Sequence, residues 1–454
     1  MKQEKIKNIA EIIDGELTDK NAENVYVRGV GVDTRTIRAG EIFFALKAER
    51  DGHEFVLDAY QKGALLAVVE RKLELPIPQI IVRDTLSALG KLALSYRNAI
   101  NPKVVSITGS VGKTTAREMV TKVLSHKFNV HSAKKNFNNL IGLPLTLLEM
   151  DEDTEIAVVE LGINQPDEMD KLAEIAAPDI AVITSIASVH TEGLGSLDNI
   201  FAEKLKIAKD LLPDNPLFLN IDSELLNEFA KNTSRKIITY AIERNADFRA
   251  INLSFSAGKP SFTIDDVDYK LELYGKAPIY AALCAIAVGS YFDVPQNVIS
   301  DNLADSASQS HRMDLTESNG VKILDDSYNS SPVALLEAFD TIEMIPANRK
   351  WVIIGDMLEL GDFSEKYHRQ AGAKIVEHKF DCAVFFGESM LFAAEQADNM
   401  HYNGKFIATQ NFDDAFKFIK ENLIPGDLVL IKGSHSIGMI KFVEELKKWL
   451  SKEK

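Results

Sequence analysis

The sequence predicts an α/β protein of three domains, and three observations support that prediction. The chain has 454 residues, whereas one hydrophobic core rarely extends beyond roughly 250–300 residues. Apolar strand patterns alternate with helical patterns along most of the chain, which favours parallel sheets covered by helices. Pro102 and the polar stretch 305–309 interrupt this alternation. They divide the chain into residues 1–101, 102–310 and 311–454.

The first two domains show short apolar runs separated by turns and helical segments. In the first domain, a helix at 85–98 follows predicted strands at 42–46, 65–69 and 79–82. The second domain has predicted parallel strands at 104–108, 156–161, 180–186, 217–220 and 236–240. An alternating stretch at 247–274 predicts an antiparallel ribbon, and the apolar stretch 279–291 predicts a helix.

The third domain repeats the alternation of strand and helix. Its predicted strands cover residues 321–324, 350–354, 383–386 and 428–431. Each ends near glycine, aspartate or serine, and ligands gather at the carboxyl ends of strands in open α/β sheets. The sequence therefore predicts a Rossmann-like C-terminal domain with a ligand surface along that edge.

Composition restricts the classes of function. A content of 46% hydrophobic and 26% charged residues is typical of a soluble globular protein. The net charge of −16 argues against a nucleic-acid surface, which needs a basic face, but it does not exclude a nucleotide. Cys284 and Cys382 lie in apolar runs, which favours buried, reduced thiols. Without a signal-peptide pattern or an apolar run of about 20 residues, the chain is expected in the cytoplasm, not inserted in a membrane.

Residues 104–115 read Val-Val-Ser-Ile-Thr-Gly-Ser-Val-Gly-Lys-Thr-Thr, a predicted strand that enters a glycine loop and then a helix. Glycines let the backbone turn its N–H groups toward phosphate oxygens. The Lys113 ammonium can reach the β- and γ-phosphates of a nucleoside triphosphate, and the Thr114 hydroxyl can bind Mg²⁺. Because Gly109 lies only three residues before Gly112, the loop is a short variant, and an ordinary glycine turn is the alternative. The predicted loop also contains Ser110, Val111 and Thr115.

Two polar residues follow predicted strands near this loop. Glu160 ends the run Ala-Val-Val-Glu, where a carboxylate beside a phosphate loop commonly binds Mg²⁺; a helix cap or an ion pair is the alternative. His190 follows the strand at 180–186 and is a second candidate ligand, although a lone histidine is most often structural. The spacing of Lys204 alone predicts an ordinary solvated lysine on a helix.

Four polar segments are candidates for substrate contacts. Asn136-Phe-Asn-Asn139 either lines a ligand cleft or caps the helix that follows. Segments 325–332, 355–361 and 432–434 each follow a predicted strand of the third domain, where functional loops belong. Together they predict a second substrate surface that faces the nucleotide.

These motifs together resemble the Mur ligase family over all three domains. Residues 108–115 resemble its phosphate loop, which folylpolyglutamate synthases share. More specific matches are Val-Asp-Thr-Arg-Thr-Ile-Arg-Ala-Gly-Glu-Ile-Phe-Phe-Ala-Leu-Lys at 32–47, Asp-Gly-His-Glu-Phe at 51–55 and Asn-Asn-Leu-Ile-Gly-Leu-Pro-Leu-Thr-Leu-Leu at 138–148. Asp-Asp-Ser-Tyr-Asn at 325–329 and Gly-Asp-Met-Leu-Glu-Leu-Gly at 355–361 resemble the branch that adds D-alanyl-D-alanine.

The resemblance implies an ATP- and Mg²⁺-dependent ligase of peptidoglycan precursor synthesis, acting as a monomer. Its substrates would be a UDP-muramoyl tripeptide and D-alanyl-D-alanine. ATP would phosphorylate the tripeptide carboxylate, the dipeptide amine would attack the acyl phosphate, and phosphate would leave. Domain closure would keep water from the acyl phosphate. Whether the tripeptide ends in lysine or meso-diaminopimelate stays open.

The resemblance also implies roles for individual residues. The UDP-sugar substrate would be bound by Asp33, Thr34, Arg35, Asp51, His53 and Asn138. Mg²⁺ would be bound by Thr114, Glu160, His190 and Lys204, the lysine after carbamylation by CO₂. The catalytic residues would be Lys113, His190 and Lys204, and the nucleotide would also contact Arg312, Asp326 and Asn329 as the third domain closes.

Three departures from the family pattern leave alternatives open. Residues 277–281, Ala-Pro-Ile-Tyr-Ala, lack both asparagines of the family's His-Asn-x-x-Asn, which predicts an altered adenine pocket. His435 stands where the family carries arginine, and Asn-Ser-Ser-Pro at 329–332 replaces Asn-Ala-Asn-Pro. The alternatives are a ligase for another amine, including a folylpolyglutamate-type enzyme, and a non-catalytic nucleotide- or UDP-sugar-binding protein. The intact phosphate loop, Glu160 and His190 favour an active ligase.

Overall fold

The computed structural model describes residues 1–133, 136–188, 191–306 and 310–452. Its first domain contains β1 (Glu4–Lys5), α1 (Ile6–Ile12), β2 (Glu16–Leu17), β3 (Tyr26–Val27), β4 (Val30–Gly31), β5 (Ile42–Phe44), α2 (Val56–Gln61), β6 (Leu66–Val69), β7 (Gln79–Ile81) and α3 (Thr85–Ile100). The main sheet has the order β2-β7-β6-β5-β4, parallel except for β2. Strands β5, β6 and β7 confirm the strands predicted for this domain.

The central domain begins with β8 (Lys103–Thr108), α4 (Lys113–Leu124), β9 (Val130–Ser132), α5 (Gly142–Leu148), β10 (Ile156–Glu160), α6 (Glu168–Ala176), β11 (Ile180–Ile183), α7 (Thr191–Leu194), α8 (Leu197–Leu205), β12 (Leu217–Asn220), α9 (Glu224–Asn232), β13 (Ile237–Ala241) and β14 (Phe248–Arg249). These strands form a parallel sheet in the order β14-β13-β12-β11-β8-β10-β9. The predicted parallel strands are confirmed, but β11 ends three residues earlier than predicted, at Ile183.

The remainder of the central domain forms the predicted antiparallel ribbon and its helix. The ribbon consists of β15 (Ile251–Ser256), β16 (Lys259–Ile264) and β17 (Val267–Lys270), and α10 (Ala277–Tyr291) and α11 (Gln296–Ala304) follow it. Helix α10 is apolar on all sides because it packs in the core against α4. Pro278 lies in its first turn, where proline is tolerated.

The third domain contains β18 (Asp314–Ser318), β19 (Val321–Asp326), α12 (Pro332–Met344), β20 (Arg349–Gly355), α13 (Ser364–Glu377), β21 (Cys382–Phe386), α14 (Met390–Asn399), β22 (Lys405–Thr409), α15 (Phe412–Asn422), β23 (Asp427–Lys432) and α16 (Ile440–Leu450). Its sheet has the order β18-β19-β23-β20-β21-β22, parallel except for the outermost β18. The four predicted strands are confirmed, and Asp325 and Asp326 belong to β19 instead of to a loop after it.

Packing joins the first two domains more closely than the third. One hydrophobic cluster includes Leu89 and Leu92 of α3 together with Leu143 of α5 and Leu172 of α6. At the same junction, the guanidinium of Arg97 donates hydrogen bonds to the carbonyl of Ala177 at 2.8 Å and to Asp179 at 3.0 Å. The two sides of the third sheet have separate clusters of their own. In the described part of the chain, no helix combines the length and the apolar composition needed to cross a membrane.

Candidate active site

The phosphate loop connects β8 at the centre of the parallel sheet to α4. Gly112 precedes the helix with a φ of 84°, in the left-handed region where a residue with a Cβ is strained. The hydrogen at Gly109 faces Thr184, and a Cβ there would lie 2.0 Å from the Thr184 hydroxyl. The loop thus requires glycine at both positions, and it presents the amino end of α4 at the sheet's carboxyl edge, as anion-binding loops do.

Residues after the neighbouring strand β11 fix the conformation of this loop. The Thr184 hydroxyl donates to the carbonyl of Val111 at 2.6 Å, and the Val111 amide donates to the Ser185 hydroxyl at 3.0 Å. The Ser110 amide donates to the carbonyl of Ser185 at 2.9 Å, and the Ser110 hydroxyl to that of Ala187 at 3.0 Å. The sequence prediction missed Thr184 and Ser185 because it placed them in the strand.

Lys113 lies at the first position of α4 and turns back over the loop. Its ammonium donates to the carbonyl of Gly109 at 2.8 Å and, at 3.4 Å, to that of Ser110. Burial lowers the pKa of Lys113; Glu160 opposes this effect and Arg312 of the third domain reinforces it. Thr114 is buried and Thr115 half-buried beside it. Glu160 ends β10, the parallel neighbour of β8, so its carboxylate lies at the same sheet edge as this ammonium.

Glu160 ends β10 with its carboxylate almost completely buried, at 2% exposure. Its Oε1 accepts a hydrogen bond from the side-chain amide of Asn138 at 2.8 Å. The guanidinium of Arg117, on α4, lies 3.9 Å from Oε2. Among the described residues, Oε2 has no hydrogen-bond partner. A buried carboxylate oxygen without a donor is a suitable ligand for a hard cation such as Mg²⁺.

Glu160 and Thr114 are suitable ligands for Mg²⁺, but the ion would need further ligands from outside the protein. In the described ranges, no group of three or more histidine, cysteine, aspartate or glutamate side chains gathers as a ligand set. Mg²⁺ usually keeps several waters and takes further oxygens from substrate phosphates, so one carboxylate and the Thr114 hydroxyl are a sufficient protein contribution. His190, the second predicted ligand, lies outside the described residues.

Lys204 is buried to 1% exposure on α8, so the interpretation of its spacing as a solvated lysine was wrong. Burial and, after it, the charge of Lys113 lower the pKa of Lys204 well below that of an ordinary lysine, although Glu160 and Glu203 oppose the shift. The solvated lysine of this segment is Lys206, which forms ion pairs with Asp170 and Glu203 at 2.8 and 2.7 Å. The charges of Lys113 and Glu160 thus both act on the buried Lys204 amine.

The third domain presents Arg312 from the segment that joins it to the central domain. Nδ1 of His311 donates to Asp325 at 2.8 Å, and the amide of Met313 donates to Asp326 at 3.3 Å. Arg312 is thereby held between two anchored neighbours, and its guanidinium stacks on the Tyr328 ring with 4.1 Å to the centroid.

Lys432 of β23 links Asp326 and Asn329, at the carboxyl end of β19. Asp326 pairs with the buried ammonium of Lys432, which also donates to the backbone carbonyl of Asn329 at 2.9 Å. Burial raises the pKa of Asp326, and the charge of Lys432 opposes that rise. The side chain of Asn329 is exposed. Lys432, whose pairing with Asp326 the sequence prediction missed, thus connects the Asp326 carboxylate to the backbone of Asn329.

The predicted sugar-binding residues lie in the first domain and form two local networks. Asp33 accepts hydrogen bonds from the backbone and the guanidinium of Arg35, the backbone one at 2.9 Å, beside the buried Thr34. Asp51 accepts from Nδ1 of His53 at 2.6 Å and from Arg71 at 2.8 Å. Both ring nitrogens of buried His53 are engaged, since Nε2 accepts from the amide of Glu70 at 2.8 Å. His53 therefore supports Asp51 within the domain.

The residues that depart from the family pattern pack or form hydrogen bonds within their own domains. Ala281 is 5% exposed and belongs to the core, while the Tyr280 hydroxyl donates to Asp222 at 3.0 Å. His435 lies beside Tyr328, with ring centroids 5.4 Å apart. Ser331 caps α12 by accepting a hydrogen bond from the amide of Ala334 at 3.4 Å. Of the four polar segments, 136–139 has two roles: Asn139 accepts hydrogen bonds from the amides of Ile141 and Gly142 at the start of α5, and Asn138 supports Glu160.

Comparison with known proteins gives matches along the whole chain. The models of the Mur ligase middle domain and of the Mur ligase glutamate ligase domain match residues 107–289 and 311–435. The UDP-N-acetylmuramoyl-tripeptide--D-alanyl-D-alanine ligase of Bacillus subtilis (strain 168) is 35% identical over 450 residues, 97% of this chain and 98% of its own.

Solved structures agree with the sequence matches. The crystal structure of MurF from Acinetobacter baumannii has a TM-score of 0.91 at 26% identity and covers 99% of both chains. MurF ligase from Thermotoga maritima, solved in complex with ADP, has a TM-score of 0.83 at 26% identity over 94% of this chain and 99% of that chain. The three-domain arrangement is thus common to this chain and to both relatives.

Proposed function

This chain belongs to the Mur ligase family, and on that premise we propose that it joins D-alanyl-D-alanine to a UDP-N-acetylmuramoyl tripeptide with consumption of ATP. The observation that carries the proposal is the end-to-end similarity to the Bacillus subtilis ligase for these substrates, at 35% identity over 97% of the chain. The geometry around the phosphate loop is consistent with it, since Lys113 begins the helix after β8 and Glu160 ends the neighbouring parallel strand β10.

The residues present account for an acyl-phosphate reaction. A carboxylate is a poor electrophile, and transfer of the γ-phosphoryl group to one of its oxygens supplies a leaving group. The dipeptide nitrogen then bonds to the carbonyl carbon, the carbon–oxygen bond to phosphate breaks, and the amine loses its proton. Lys113 is a preorganised positive charge for the transferring phosphoryl group, in a site where burial strengthens electrostatic interactions.

We place Mg²⁺ at Oε2 of Glu160, which accepts no hydrogen bond from the described residues, and at the hydroxyl of Thr114, with His190 as a further ligand. The ion would neutralise charge on the phosphates when bound. Asn138 orients Glu160, and Thr184 and Ser185 hold the loop that receives the phosphates. The use of ATP is supported by the Thermotoga maritima relative, which was solved in complex with ADP.

Lys204 is proposed to react with CO₂ and become an anionic ligand. Only a neutral amine adds to CO₂, forming a carbamate and releasing a proton, and burial lowers the pKa of Lys204 in that direction. A carbamate would also replace a destabilising buried cation with an anion beside Lys113. We assign Arg312, together with Asp326 and Asn329, to the nucleotide, because Arg312 acts electrostatically on Lys113 across the two domains.

We retain three further predictions as part of this proposal. The UDP-sugar substrate is bound by the first domain, with Asp33, Thr34, Arg35, Asp51 and His53, together with Asn138 of the central domain. The enzyme works as a monomer in the cytoplasm, which light scattering and cell fractionation can test. The altered stretch 277–281 weakens discrimination of ATP over GTP, because side-chain amides that could reject the wrong base are absent.

The decisive experiment measures ADP, phosphate and amide product with saturating UDP-muramoyl tripeptide. D-Ala-D-Ala, D-Ala and L-Ala-L-Ala are titrated separately, and tripeptides ending in lysine and in meso-diaminopimelate are compared. We expect efficient product formation only with D-Ala-D-Ala, because D-Ala presents its carboxylate one residue closer to the amine. Product with another amine alone would support a related ligase, and nucleotide binding without turnover would support the non-catalytic alternative.

A further inference from the structure

A loop of the third domain, residues 355–361, is hydrogen-bonded to helix α7 of the central domain. The hydroxyl of Thr191 donates to the carbonyl of Leu360 at 3.1 Å, and the amide of Glu192 donates to the carbonyl of Glu359 at 3.2 Å. Thr191 is 7% exposed, and Leu360 is buried as well. The two hydrogen bonds therefore lie in a closed contact between domains, and not on an open surface.

The loop has a fixed shape that the third domain itself supports. The amide of Met357 donates to Nε2 of His368 at 3.0 Å, and the amide of Leu358 donates to the Ser434 hydroxyl at 2.9 Å. Glu359 has a φ of 62°, an unfavourable conformation for a residue with a Cβ. The carbonyl of this residue accepts the hydrogen bond from the Glu192 amide. Because these supports come from α13 and from the segment after β23, the third domain presents the loop as a rigid unit.

The partner of the loop is close in the chain to the phosphate site. Helix α7 follows the segment whose Thr184 and Ser185 hold the phosphate loop, and it precedes α8, which carries Lys204. A contact at Thr191 thus connects the third domain to an element between two parts of the reaction site. Buried hydroxyls normally have a hydrogen-bond partner, and the Leu360 carbonyl is the partner of the Thr191 hydroxyl.

We propose that Thr191 and the 355–361 loop form an interdomain latch, in which Thr191 is a positioning residue that keeps the third domain closed over the acyl phosphate. This inference rests on the proposed ligase activity. With the latch engaged, the dipeptide nitrogen attacks the carbonyl carbon. With the latch open, water attacks the same carbon, the bond to phosphate breaks, and the products are the original carboxylate and free phosphate. Loss of the latch should therefore separate ATP consumption from amide formation.

The first test replaces the hydroxyl by a methyl group of similar size, Thr191→Val. Losing one hydrogen bond to a buried carbonyl typically shifts an equilibrium by about 2- to 10-fold. We expect the phosphate released per amide formed to rise by about that factor, kcat for amide formation to fall, and the KM for ATP to stay unchanged. Thr146→Val is the matched control, because that buried hydroxyl donates to the carbonyl of Gly142 at 2.9 Å within a single helix. It should leave the phosphate-to-amide ratio at the wild-type value.

The second test does not depend on activity. A Cβ at Gly361 would lie 3.7 Å from the Cβ of Glu192, within the range that a disulfide bridges. Glu192 and Gly361 are both exposed, whereas the natural Cys284 and Cys382 are buried. The double variant Glu192→Cys/Gly361→Cys should form an intramolecular disulfide under mild oxidation, seen as a mobility shift on a non-reducing gel. Turnover should stop when the disulfide forms and return when it is reduced. The two single variants control for strain at Gly361.

The two tests separate failure of the latch from failure of the proposed function. If the wild-type chain forms no amide product, the proposed function fails, whether or not the disulfide forms. If the wild type is active but folded Thr191→Val has the wild-type phosphate-to-amide ratio, the latch proposal is overturned. A folded double variant that forms no disulfide, with or without ATP and tripeptide, also overturns it.

Discussion

The side-chain amide of Asn138 donates a hydrogen bond to Oε1 of Glu160 at 2.8 Å, across 22 positions of sequence. The contact is tight, because a Cβ at Gly162 would lie 2.9 Å from the Asn138 amide carbon. Asn138, which the family resemblance assigns to the substrate, uses its side-chain nitrogen to orient the candidate metal ligand. The sequence offered helix capping as the alternative role of this segment, and Asn139 has that role. It accepts hydrogen bonds from the amides of Ile141 and Gly142 at the start of α5.

The first prediction concerns this hydrogen bond. Asn138→Ala removes a donor to a carboxylate that is almost fully buried, and an unsatisfied buried acceptor typically costs about 1–3 kcal/mol. We expect a lower free energy of unfolding in urea and a higher Mg²⁺ concentration for half-maximal activity. Asn139→Ala is the matched control; losing a cap costs about 1 kcal/mol but should not change the Mg²⁺ requirement. An unchanged Mg²⁺ requirement in Asn138→Ala would contradict the role assigned to Glu160.

The second prediction concerns Lys113 at the start of α4. Lys113→Ala should lower kcat by about 10²–10³ or more, the usual effect of removing a preorganised charge from the transferring group. Single-turnover phosphoryl transfer is the measurement, with circular dichroism as the check of folding. Lys122→Ala serves as the control, since that lysine is on the same helix and pairs with exposed Asp305 at 3.0 Å. Near-normal turnover of a folded Lys113→Ala protein would remove the loop lysine from the mechanism.

The central sheet could be predicted from sequence because its inner strands are continuous apolar runs, buried on both sides. The strands that were missed, such as β9 (Val130–Ser132), β14 (Phe248–Arg249) and β22 (Lys405–Thr409), lie at sheet edges and are only partly buried. Asp325 and Asp326 were predicted to lie in a loop because they are charged. They remain in strand because β19 pairs with β23, with Asp326 opposite Lys432, and no local pattern reports a partner 106 residues away.

The candidate site was predictable where a motif carries its own chemistry and not where tertiary packing decides. The glycine loop with Lys113 and Thr114 was identified from residue types alone. The burial of Lys204 could not be predicted, because α8 carries charged residues on several sides. Only the packing of the helix shows which of these side chains faces the core. The role of Thr184 and Ser185 could not be predicted either, since hydroxyl side chains at the end of a strand are common. Their role becomes visible only in the structure, where they form hydrogen bonds with the phosphate loop.

The third prediction concerns carbamylation of Lys204. In buffer enriched in ¹³CO₂, the protein should show a carbamate carbon resonance by NMR that Lys204→Ala lacks. Activity of Lys204→Ala should be nearly absent and should recover in part with a short carboxylic acid, which can replace the anionic ligand. Lys206→Ala is the control: hydrogen bonds to Asp170 and Glu203 raise the pKa of Lys206, so its ammonium cannot add to CO₂. A fully active Lys204→Ala enzyme, or a spectrum without the resonance, would refute the modification.

The fourth prediction concerns pH and the loop at 355–361. His368 is fully buried, its Nδ1 donates to the carbonyl of Ser364 at 2.7 Å, and its Nε2 accepts from the amide of Met357 at 3.0 Å. These partners require the neutral ring, because a proton on Nε2 would face the Met357 N–H. Burial accordingly lowers the pKa of His368 below 6.5, against the opposing effects of Ser364 and Asp356.

The sign of the pH effect follows from this shift. Above pH 6.5 the ring is neutral in both the folded and the unfolded protein, so it adds no pH dependence. As the pH falls below 6.5, the unfolded chain binds the proton first, and stability is lost until the folded pKa is reached. Relative to His368→Gln, the wild-type free energy of unfolding should fall by up to about 1.4 kcal/mol per pH unit in that window. Urea unfolding followed by tryptophan fluorescence reports on the correct domain, since Trp351 and Trp449 both lie in the third domain. Parallel stability curves for the two proteins below pH 6.5 would show that His368 is not the neutral support of the loop.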